Sequence, residues 1–562
     1  MNLLPGLAIL IFVLFFAEDT EAGIRDSLHN LSAGGPGNVK SGVEGRICEF
    51  CHISHSSAET GALWARRKPT AIYIPYSSST AAARPGQPTG TSVLCLSCHD
   101  GTIALGEILN RGQPHSMAGG LGRMPPGKGL QGTDLSDDHP ISFQYSPQLV
   151  NQNDELAMPS LISENLRLDN NGELQCTTCH NAHDSPYEKL LVLPAIRSQL
   201  CVECHKTSGW TQSSHSQSAA SWNRRPPNPW RESEYSTVID NGCNNCHVTH
   251  SAEGGERLLK YLNEEDNCAA CHNGNVATRD VMASFNQGSS HPISETTLIH
   301  DPVEAAIVEN RHVECADCHN PHATKAGRSS GDVPANVRGV NLEGGEVSSA
   351  SEEYEICLRC HGDSPDQPRS RTPRQHDQVN MRLKIQPNNP SFHPIAELGR
   401  NSDVPSLIFP LTEESIIGCG SCHNSSSATS VGGTGPEGPH GSVYTPLLSR
   451  NYVTIDDTVE SASAYALCYG CHSRDSILDD ESFPEHDKHV RGDDTPCNVC
   501  HDPHGISSTQ GNQTNNSHLI NFDTSIVSPN QNGQLRFVDE GNRSGSCDLL
   551  CHGKDHDNFN YP

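Results

Sequence analysis

Twelve cysteine pairs constrain this chain more than any other feature. All 24 cysteines fall into these pairs, and a histidine follows the second cysteine of each pair. The first eleven have the spacing C-x-x-C-H, at Cys48/Cys51-His52, Cys95/Cys98-His99, Cys176/Cys179-His180, Cys201/Cys204-His205, Cys243/Cys246-His247, Cys268/Cys271-His272, Cys315/Cys318-His319, Cys357/Cys360-His361, Cys419/Cys422-His423, Cys468/Cys471-His472 and Cys497/Cys500-His501. The twelfth, Cys547/Cys551-His552, has one more residue between its cysteines. We number these sites 1 to 12 in chain order.

The histidine after every pair selects one chemistry. C-x-x-C-H is the attachment signature of c-type haem, in which two thiols add to the porphyrin vinyl groups and the histidine ligates the iron. Disulfides suit a secreted chain with an even cysteine count, and zinc ribbons use C-x-x-C pairs, but neither requires the repeated histidine. The sequence therefore predicts twelve covalently attached haem c groups, with a lone disulfide as the alternative at site 12.

The second axial ligands are predicted to be histidines, because the chain has 31 histidines and only six methionines. Five motifs continue as C-x-x-C-H-x-x-H and supply His55, His183, His250, His322 and His504. At site 9 Ser426 takes that position. Ser, Tyr and a Leu pair follow His183 and His440 at the same offsets, so His440 is predicted to be the displaced equivalent.

A further histidine precedes each odd-numbered site. These predicted ligands are His29, His139, His215, His291, His393 and His489, with His312 competing with His291 and His486 with His489. The pattern gives two extra histidines for every two sites and predicts bis-His ligation throughout. The other histidines are predicted to be structural or to contact propionates: His115, His300, His376, His518 and His556.

The spacing within C-H-x-x-H also predicts how the sites connect. If the segment is helical, the two histidines lie on one side of it and cannot reach opposite faces of one iron. The later histidine, as at His183 or His250, must then serve a neighbouring haem. The sequence predicts haems chained by short backbone links.

This repeat divides the chain into a signal peptide, residues 1–22, and six two-haem units. Their predicted bounds are 23–109, 110–208, 209–278, 279–364, 365–475 and 476–562. Segments rich in Ser, Gly, Asn and Pro are predicted to be surface loops: 77–91, 112–132, 327–351, 425–439 and 507–534. Short helices are predicted at 352–359 and 461–469, and strand signals are weak everywhere.

Composition requires an unusual core. Hydrophobic residues make up 34% of the chain and aromatic residues 5%, too little apolar surface to offset chain entropy by side-chain burial alone. Porphyrins must then supply the core. The predicted fold class is mostly irregular with short α-helices and little β, an elongated haem-cored multihaem cytochrome c of repeated two-haem units.

The N-terminal residues and the net charge predict where the chain is located and which partners it disfavours. Residues 3–17 are apolar and small and polar residues follow, which predicts a secretory signal cleaved after Ala22. No Lys or Arg precedes the apolar stretch, so an uncleaved anchor is the alternative. No later apolar run is long enough for a membrane-spanning helix. The net charge of −29 disfavours nucleic acid and anionic membranes as partners.

The chain resembles the doubled C-x-x-C-H multihaem c-type cytochromes found in metal-reducing bacteria. The matching segments begin at Cys48 and Cys95, run through His139-Pro-Ile-Ser, and recur at Cys315 and Cys497. The resemblance implies electron transfer in the periplasm, at the outer-membrane surface or outside the cell, towards acceptors such as metal oxides. Implied partners are periplasmic or outer-membrane cytochromes, a porin complex, or further copies of the chain in a filament.

Two functions follow from this sequence. Bis-His ligation leaves no iron open, which predicts an electron-transfer conduit rather than an enzyme, with an acidic surface suited to docking a basic redox partner. The alternative is a multihaem oxidoreductase for nitrite, hydroxylamine or a sulfur oxyanion, which needs one open iron. Sites 9 and 12, with their irregular motifs, are the candidates for that open position.

Overall fold

The computed structural model describes residues 23–55, 62–109, 111–184, 186–294, 300–308, 312–327 and 331–561. The predicted signal peptide, residues 1–22, lies outside these residues. Contacts divide the chain into two compact units. The first holds the described residues up to Lys206 together with Val248–Leu258, and the second holds Thr207–His247 and Leu259 onwards. The six-unit division by motif stays a prediction.

The first compact unit is mostly irregular. It contains four short helices and one two-stranded antiparallel sheet in the residues described: α1 (Ser92–His99), α2 (Pro147–Gln152), α3 (Cys176–Cys179), α4 (Gln199–Val202), β1 (Phe143–Gln144) and β2 (Glu173–Leu174). Two of these helices, α1 and α3, consist largely of attachment-motif residues. Regular structure is therefore concentrated where cysteines must be positioned.

The second compact unit has the same character over a longer stretch. Its helices are α5 (Ser214–Gln217), α6 (Val238–Asn241), α7 (Glu264–His272), α8 (Val281–Phe285), α9 (Cys315–Cys318), α10 (Glu353–His361), α11 (Met381–Lys384), α12 (Arg474–Leu478) and α13 (Gln513–Asn516). Its strands are β3 (Ser289–Ser290), β4 (Gly339–Val340), β5 (Glu346–Val347), β6 (Gly441–Ser442), β7 (Val527–Ser528), β8 (Arg536–Gly541), β9 (Ser544–Cys551) and β10 (Lys554–Tyr561). Strand β3 pairs with β6, and β4 with β5.

One of the two predicted helices is confirmed. Helix α10 begins after Glu352, which forms a reciprocal capping box with Glu355 and so satisfies backbone donors at the helix start. The prediction of a helix at 461–469 is wrong, because that segment forms turns and ends in a 3-10 helix, Cys468–Gly470. Backbone groups that a helix would pair internally bond to another segment instead, since the Leu467 N–H donates to the Asn451 carbonyl and the Ala464 carbonyl accepts the Val453 N–H, both at 2.9 Å.

The C-terminal sheet departs from the expectation of weak strands. Strand β9 pairs with β10 on one side and with β7 and β8 on the other, all antiparallel. Cys547, Leu549 and Cys551 alternate along β9 and pack on a core that includes Val499 and Phe537. Polar and glycine residues fill much of these strands, which is why hydrophobic alternation did not reveal them.

Buried side chains form small clusters rather than one continuous core. Seven clusters, each with three to six buried residues, occur in the described part of the chain. Attachment cysteines pack at the edges of several of them, such as Cys51 and Cys98 beside Phe50. The predicted fold class is confirmed in its irregular backbone, short helices and small share of strand. No described helix is long and apolar enough to cross a membrane.

Candidate haem-attachment sites

The eleven C-x-x-C-H motifs share one backbone geometry. In eight of them the histidine N–H donates to the carbonyl of the first cysteine at 2.9 to 3.0 Å, as His52 does to Cys48 at 2.9 Å and His319 to Cys315 at 3.0 Å. In the other three the motif is the end of helix α1, α7 or α10. One helical turn places the side chains at i and i+3 on the same face, about 5–6 Å apart at Cβ. Both thiols of a motif can therefore reach one porphyrin.

Histidine rings pair across these motifs. Ten pairs have ring centroids 5.9 to 6.4 Å apart, each pairing one motif histidine with one from outside that motif: His29/His99, His52/His183, His139/His205, His180/His250, His215/His272, His247/His322, His291/His361, His319/His440, His423/His504 and His486/His501. At site 10, His472 lies within electrostatic range of His393. The pairs thus involve sites 1 to 11.

The spacing of the rings fits a shared metal ion. Two imidazole nitrogens bound on opposite sides of one metal, each about 2.0–2.1 Å from it, put the ring centroids about 6.3 Å apart. The observed 5.9 to 6.4 Å brackets this value. The residues present therefore fit an iron held between each pair.

Hydrogen bonds on the other ring nitrogen favour the same arrangement. Nδ1 of His52 donates to the Ala62 carbonyl at 2.7 Å, and Nδ1 of His180 donates to the Lys189 carbonyl at 2.9 Å. A carbonyl oxygen only accepts, so Nδ1 carries the proton in each neutral ring. Nε2 then presents its lone pair, which is the form of histidine that ligates a metal.

The pairs follow a regular connectivity. At sites 1, 3, 5, 7 and 9 the facing ring comes from the next unit, as His183 faces His52 and His250 faces His180. At sites 2, 4, 6 and 8 it comes from earlier in the same predicted two-haem unit, as His139 faces His205. The planes differ as well: the first group is within 32° of parallel, whereas His29/His99, His139/His205, His215/His272 and His291/His361 are crossed at 58° to 84°.

Two predicted ligands, His489 and His55, face no motif histidine in the described residues, and the choice between His291 and His312 can be compared with the structure. His486, not His489, faces His501, and His489 lies beside the Tyr561 ring with Nδ1 bonded to the Glu485 carbonyl. His291 faces His361, and its competitor His312 lies among carboxylates instead. His55 is exposed, and no facing imidazole is found for it in the described residues. The ligand roles of His55 and His489 stay predictions.

A repeated backbone contact joins neighbouring sites, and sequence reasoning missed it. The carbonyl of the residue before a C-H-x-x-H histidine accepts Nδ1–H from the distal histidine of the adjacent even-numbered site. Pro321 accepts from His215 at 2.9 Å, Pro439 from His291 at 2.7 Å and Pro503 from His393 at 2.6 Å. One dipeptide therefore supplies a ring to one site and orients the ring of the next. The Pro-His dipeptide recurs in the sequence as the only signal of this contact.

The insertion at site 9 brings His440 to site 7. Its loop is held by Glu437, whose carboxylate accepts Asn424 Nδ2 at 2.8 Å and both the hydroxyl and N–H of Ser430 at 2.9 and 2.8 Å. Burial opposes ionisation of this carboxyl, but these hydrogen bonds lower the pKa of Glu437 to about 2. Gly438 follows with φ of +104°, and a Cβ there would lie 3.0 Å from the His440 ring. The predicted equivalence of His440 and His183 matches their positions opposite His319 and His52.

Cysteines of successive sites lie side by side in chain order. First cysteines of an even site and the following odd site are in hydrogen-bonding contact: Cys95/Cys176, Cys268/Cys315, Cys357/Cys419 and Cys468/Cys497. Second cysteines within one two-haem unit interact electrostatically: Cys51/Cys98, Cys179/Cys204, Cys246/Cys271, Cys318/Cys360, Cys422/Cys471 and Cys500/Cys551. Attachment points therefore run in file through sites 1 to 4 in the first compact unit and through sites 5 to 12 in the second.

Burial favours the neutral form of several of these groups. Desolvation, reinforced by Cys98, raises the pKa of Cys51 to about 12, and desolvation raises that of Cys246 to about 11. A thiol of this kind suits a neutral thioether better than a thiolate–metal bond. Desolvation also lowers the pKa of His139 and of His501 to about 4, so the rings are uncharged, as ligation requires.

Site 12 has a different geometry. Cys547 and Cys551 lie on strand β9, and four strand residues span about 13 Å. His552 and Gly553, both with positive φ, form the two-residue turn to β10. His552 Nε2 lies 3.0 Å from Asp456 Oδ2, so a carboxylate takes the place that an imidazole has at the other sites. No disulfide joins Cys547 and Cys551.

The remaining histidines make polar contacts. His115 lies near Glu44, His518 bonds Asp539 at 3.2 Å, and His556 bonds the Tyr561 hydroxyl at 3.2 Å. The backbone N–H of His376 donates to Asn521 Oδ1. His300 joins His312 in a carboxylate cluster. The structural or propionate-contacting roles of these histidines stay predictions.

Comparison with known proteins supports the same class. Residues 170–209 match the family profile of the doubled C-x-x-C-H motif, and residues 200–273 match that of cytochrome c554 and c-prime. No curated protein sequence matches the chain. With the eleven motifs of one geometry, these matches identify the chain as a multihaem c-type cytochrome. Its C-x-x-C-H motifs carry covalently bound haem c, and its role is electron transfer or redox chemistry.

Proposed function

We propose that the chain is a secreted dodecahaem cytochrome that conducts electrons, and that eleven of its irons are held between two histidines. The observation that carries this proposal is the set of ten imidazole pairs at 5.9 to 6.4 Å. Haem c, when bound, supplies one-electron chemistry at iron.

The protein's own residues would set how that chemistry is used. Paired histidines such as His52 and His183 would hold an iron from both sides, which would leave no position on it for a substrate. Bis-His ligation also favours lower potentials than Met/His ligation. Carbonyl acceptors such as Pro321 and Pro503 fix the distal rings through Nδ1, so that little ring reorientation accompanies a change of charge.

The file of attachment points supports conduction. Cysteines of consecutive sites lie near each other within each compact unit, so the haems they hold would be neighbours in the same order. The net charge of −29 suits a basic docking patch on a redox partner. We propose periplasmic or outer-membrane cytochromes, or a porin complex, as partners, with metal oxides as external acceptors and self-association into filaments as a further assembly.

Exchanging one histidine at a time tests bis-His ligation. We expect His183→Gln to leave the iron of site 1 with one histidine, which converts one haem to the high-spin ferric form in the electron paramagnetic resonance spectrum. His55→Gln is the matched control, because His55 holds the same motif position but is exposed, and it should leave the spectrum unchanged. A high-spin signal from the unmodified protein at more than one haem would refute the proposal, as would an unchanged spectrum for His183→Gln.

One observation favours the reductase alternative at site 12. His552 faces the carboxylate of Asp456 rather than an imidazole, whereas His423 at site 9 faces His504. Site 12 is therefore the better candidate for an open iron. Carbon monoxide binds an open ferrous haem, so titration of the reduced protein would count such sites. One binding haem, lost in His552→Ala, would favour an enzyme, and none would favour a conduit.

A further inference from the structure

A cluster of two histidines and two carboxylates lies outside the paired rings. His300, Glu304, His312 and Asp317 each offer one nitrogen or oxygen, and these four atoms lie within 4.8 Å of one another. The side chains are 6% to 21% exposed. Asp317 belongs to α9, between the two cysteines of site 7, whereas the other three precede that helix.

The distances suit one metal ion. His300 Nδ1 lies 3.1 Å from Asp317 Oδ1 and 3.5 Å from Glu304 Oε1. His312 Nε2 lies 3.2 Å from Glu304 Oε2 and 3.8 Å from Asp317 Oδ1. Four ligands about 2.1 Å from a tetrahedral centre are about 3.4 Å from each other. The observed separations scatter around that edge length.

A buried arginine supports the carboxylates from behind. Arg359, 3% exposed on α10, donates from Nη2 to Glu304 Oε1 at 2.9 Å and from Nη1 to the Asp317 carbonyl at 2.7 Å. Metal-binding carboxylates are commonly oriented by such outer hydrogen bonds. Arg359 offsets one of the two negative charges, and two imidazoles and one further negative charge remain for a dication.

We propose that His300, Glu304, His312 and Asp317 form a binding site for a divalent transition metal, of which Zn²⁺ fits best. Two imidazoles with two carboxylates in a tetrahedral arrangement are a ligand set that Zn²⁺ accepts, whereas Ca²⁺ and Mg²⁺ prefer all-oxygen surroundings. The ion would join the segment around His300 to α9. Its charge beside site 7 would also favour the reduced state of the haem attached there.

Elemental analysis of the purified holoprotein tests this site. After incubation with ZnCl₂ and gel filtration we expect one zinc per chain, with iron counted in the same sample as a measure of haem content. His300→Gln and Glu304→Gln should each lower zinc affinity at least tenfold, with iron per chain unchanged. His376→Gln is the matched control, since it removes a half-buried histidine outside the cluster, and it should bind zinc as the unmodified protein does.

X-ray absorption at the zinc edge tests the site even if a variant fails to mature. The unmodified protein should show four nitrogen or oxygen neighbours at about 2.0–2.1 Å. Sulfur neighbours would place the zinc at cysteines and overturn the proposal. Equal loss of zinc in His300→Gln and His376→Gln would also overturn the proposal. So would the absence of zinc above background in the unmodified protein, since the cluster would then be a network of ion pairs alone.

Discussion

Breaking the buried ion pair behind site 9 should destabilise the segment that carries His504. Lys384, the last residue of α11, places Nζ 2.8 Å from Asp502 Oδ2. Both side chains are buried, with exposed fractions of 4% for Lys384 and 3% for Asp502. Asp502 also accepts the His504 backbone N–H at 3.1 Å. The pair therefore anchors the turn from which the His504 ring faces His423.

The magnitude follows from this burial. At 2.8 Å and an effective dielectric constant near 20, two unit charges attract by about 6 kcal/mol, much of it offset by desolvation. Removing one partner of such a pair costs about 3–5 kcal/mol, since the other charge stays buried. Burial alone would raise the pKa of Asp502, but Lys384 holds it below its ordinary value. Lys384→Met should therefore also raise the pKa of Asp502.

Hydrogen–deuterium exchange of the holoprotein measures this effect locally. In Lys384→Met, protection of peptides covering residues 497–505 should fall by about two to four orders of magnitude, equivalent to 3–5 kcal/mol at 1.36 kcal/mol per tenfold. Lys488→Met is the matched control, because Lys488 pairs with Glu485 at 3.0 Å but is 45% exposed. That change should cost less than about 1 kcal/mol. Equal effects of the two substitutions would refute the reasoning.

Three further predictions concern how the rings are held. Gly505 has a φ of +101°, and a Cβ added there would lie 2.6 to 2.9 Å from three backbone atoms. Gly505→Ala should therefore displace His504 and give a high-spin ferric signal, and an unchanged spectrum would contradict this. Because the pKa of Glu437 is depressed, its carboxylate stabilises the folded loop fully above about pH 4.5, and this stabilisation is lost as the pH falls towards about 2. Site 7 should therefore lose His440 ligation in that pH range, which a spin-state titration would record. Glu437→Gln should remove this pH dependence of His440 ligation. The facing rings form two groups, one near parallel at 5° to 32° and one crossed at 58° to 84°. Because axial ligands set the electronic structure of the iron, the electron paramagnetic resonance spectrum should contain two low-spin signals of comparable intensity. A single low-spin signal would exclude two ring arrangements.

The spacing of the motifs predicted much of the candidate sites, because covalent haem attachment requires a fixed local geometry. C-x-x-C-H predicted the attachment turns, and the argument that a histidine three residues on cannot serve the same iron agrees with the position of His183 opposite His52. The choice between His291 and His312 could not be made by spacing. It depends on Glu304 and Asp317, which surround His312 only in the folded chain.

The rest of the fold depended on contacts that leave no periodic signal. Strands β8 to β10 are rich in Asp, Asn and Gly, and their pairing with each other outweighs weak individual propensity. The Pro-carbonyl contacts, such as Pro439 with His291, join residues far apart in sequence. Composition did predict that side chains form no large core, and the small clusters around cysteines such as Cys51 agree with that.

A high-resolution structure of the haem-loaded protein would test the central claim most directly, through the two axial atoms on each iron. We predict that the iron attached at Cys48 and Cys51 is bound by Nε2 of His52 and Nε2 of His183, each about 2 Å away, and that sites 2 to 11 have two histidines in the same way. A different second ligand at site 1, or an open axial position at any of sites 1 to 11, would contradict the account.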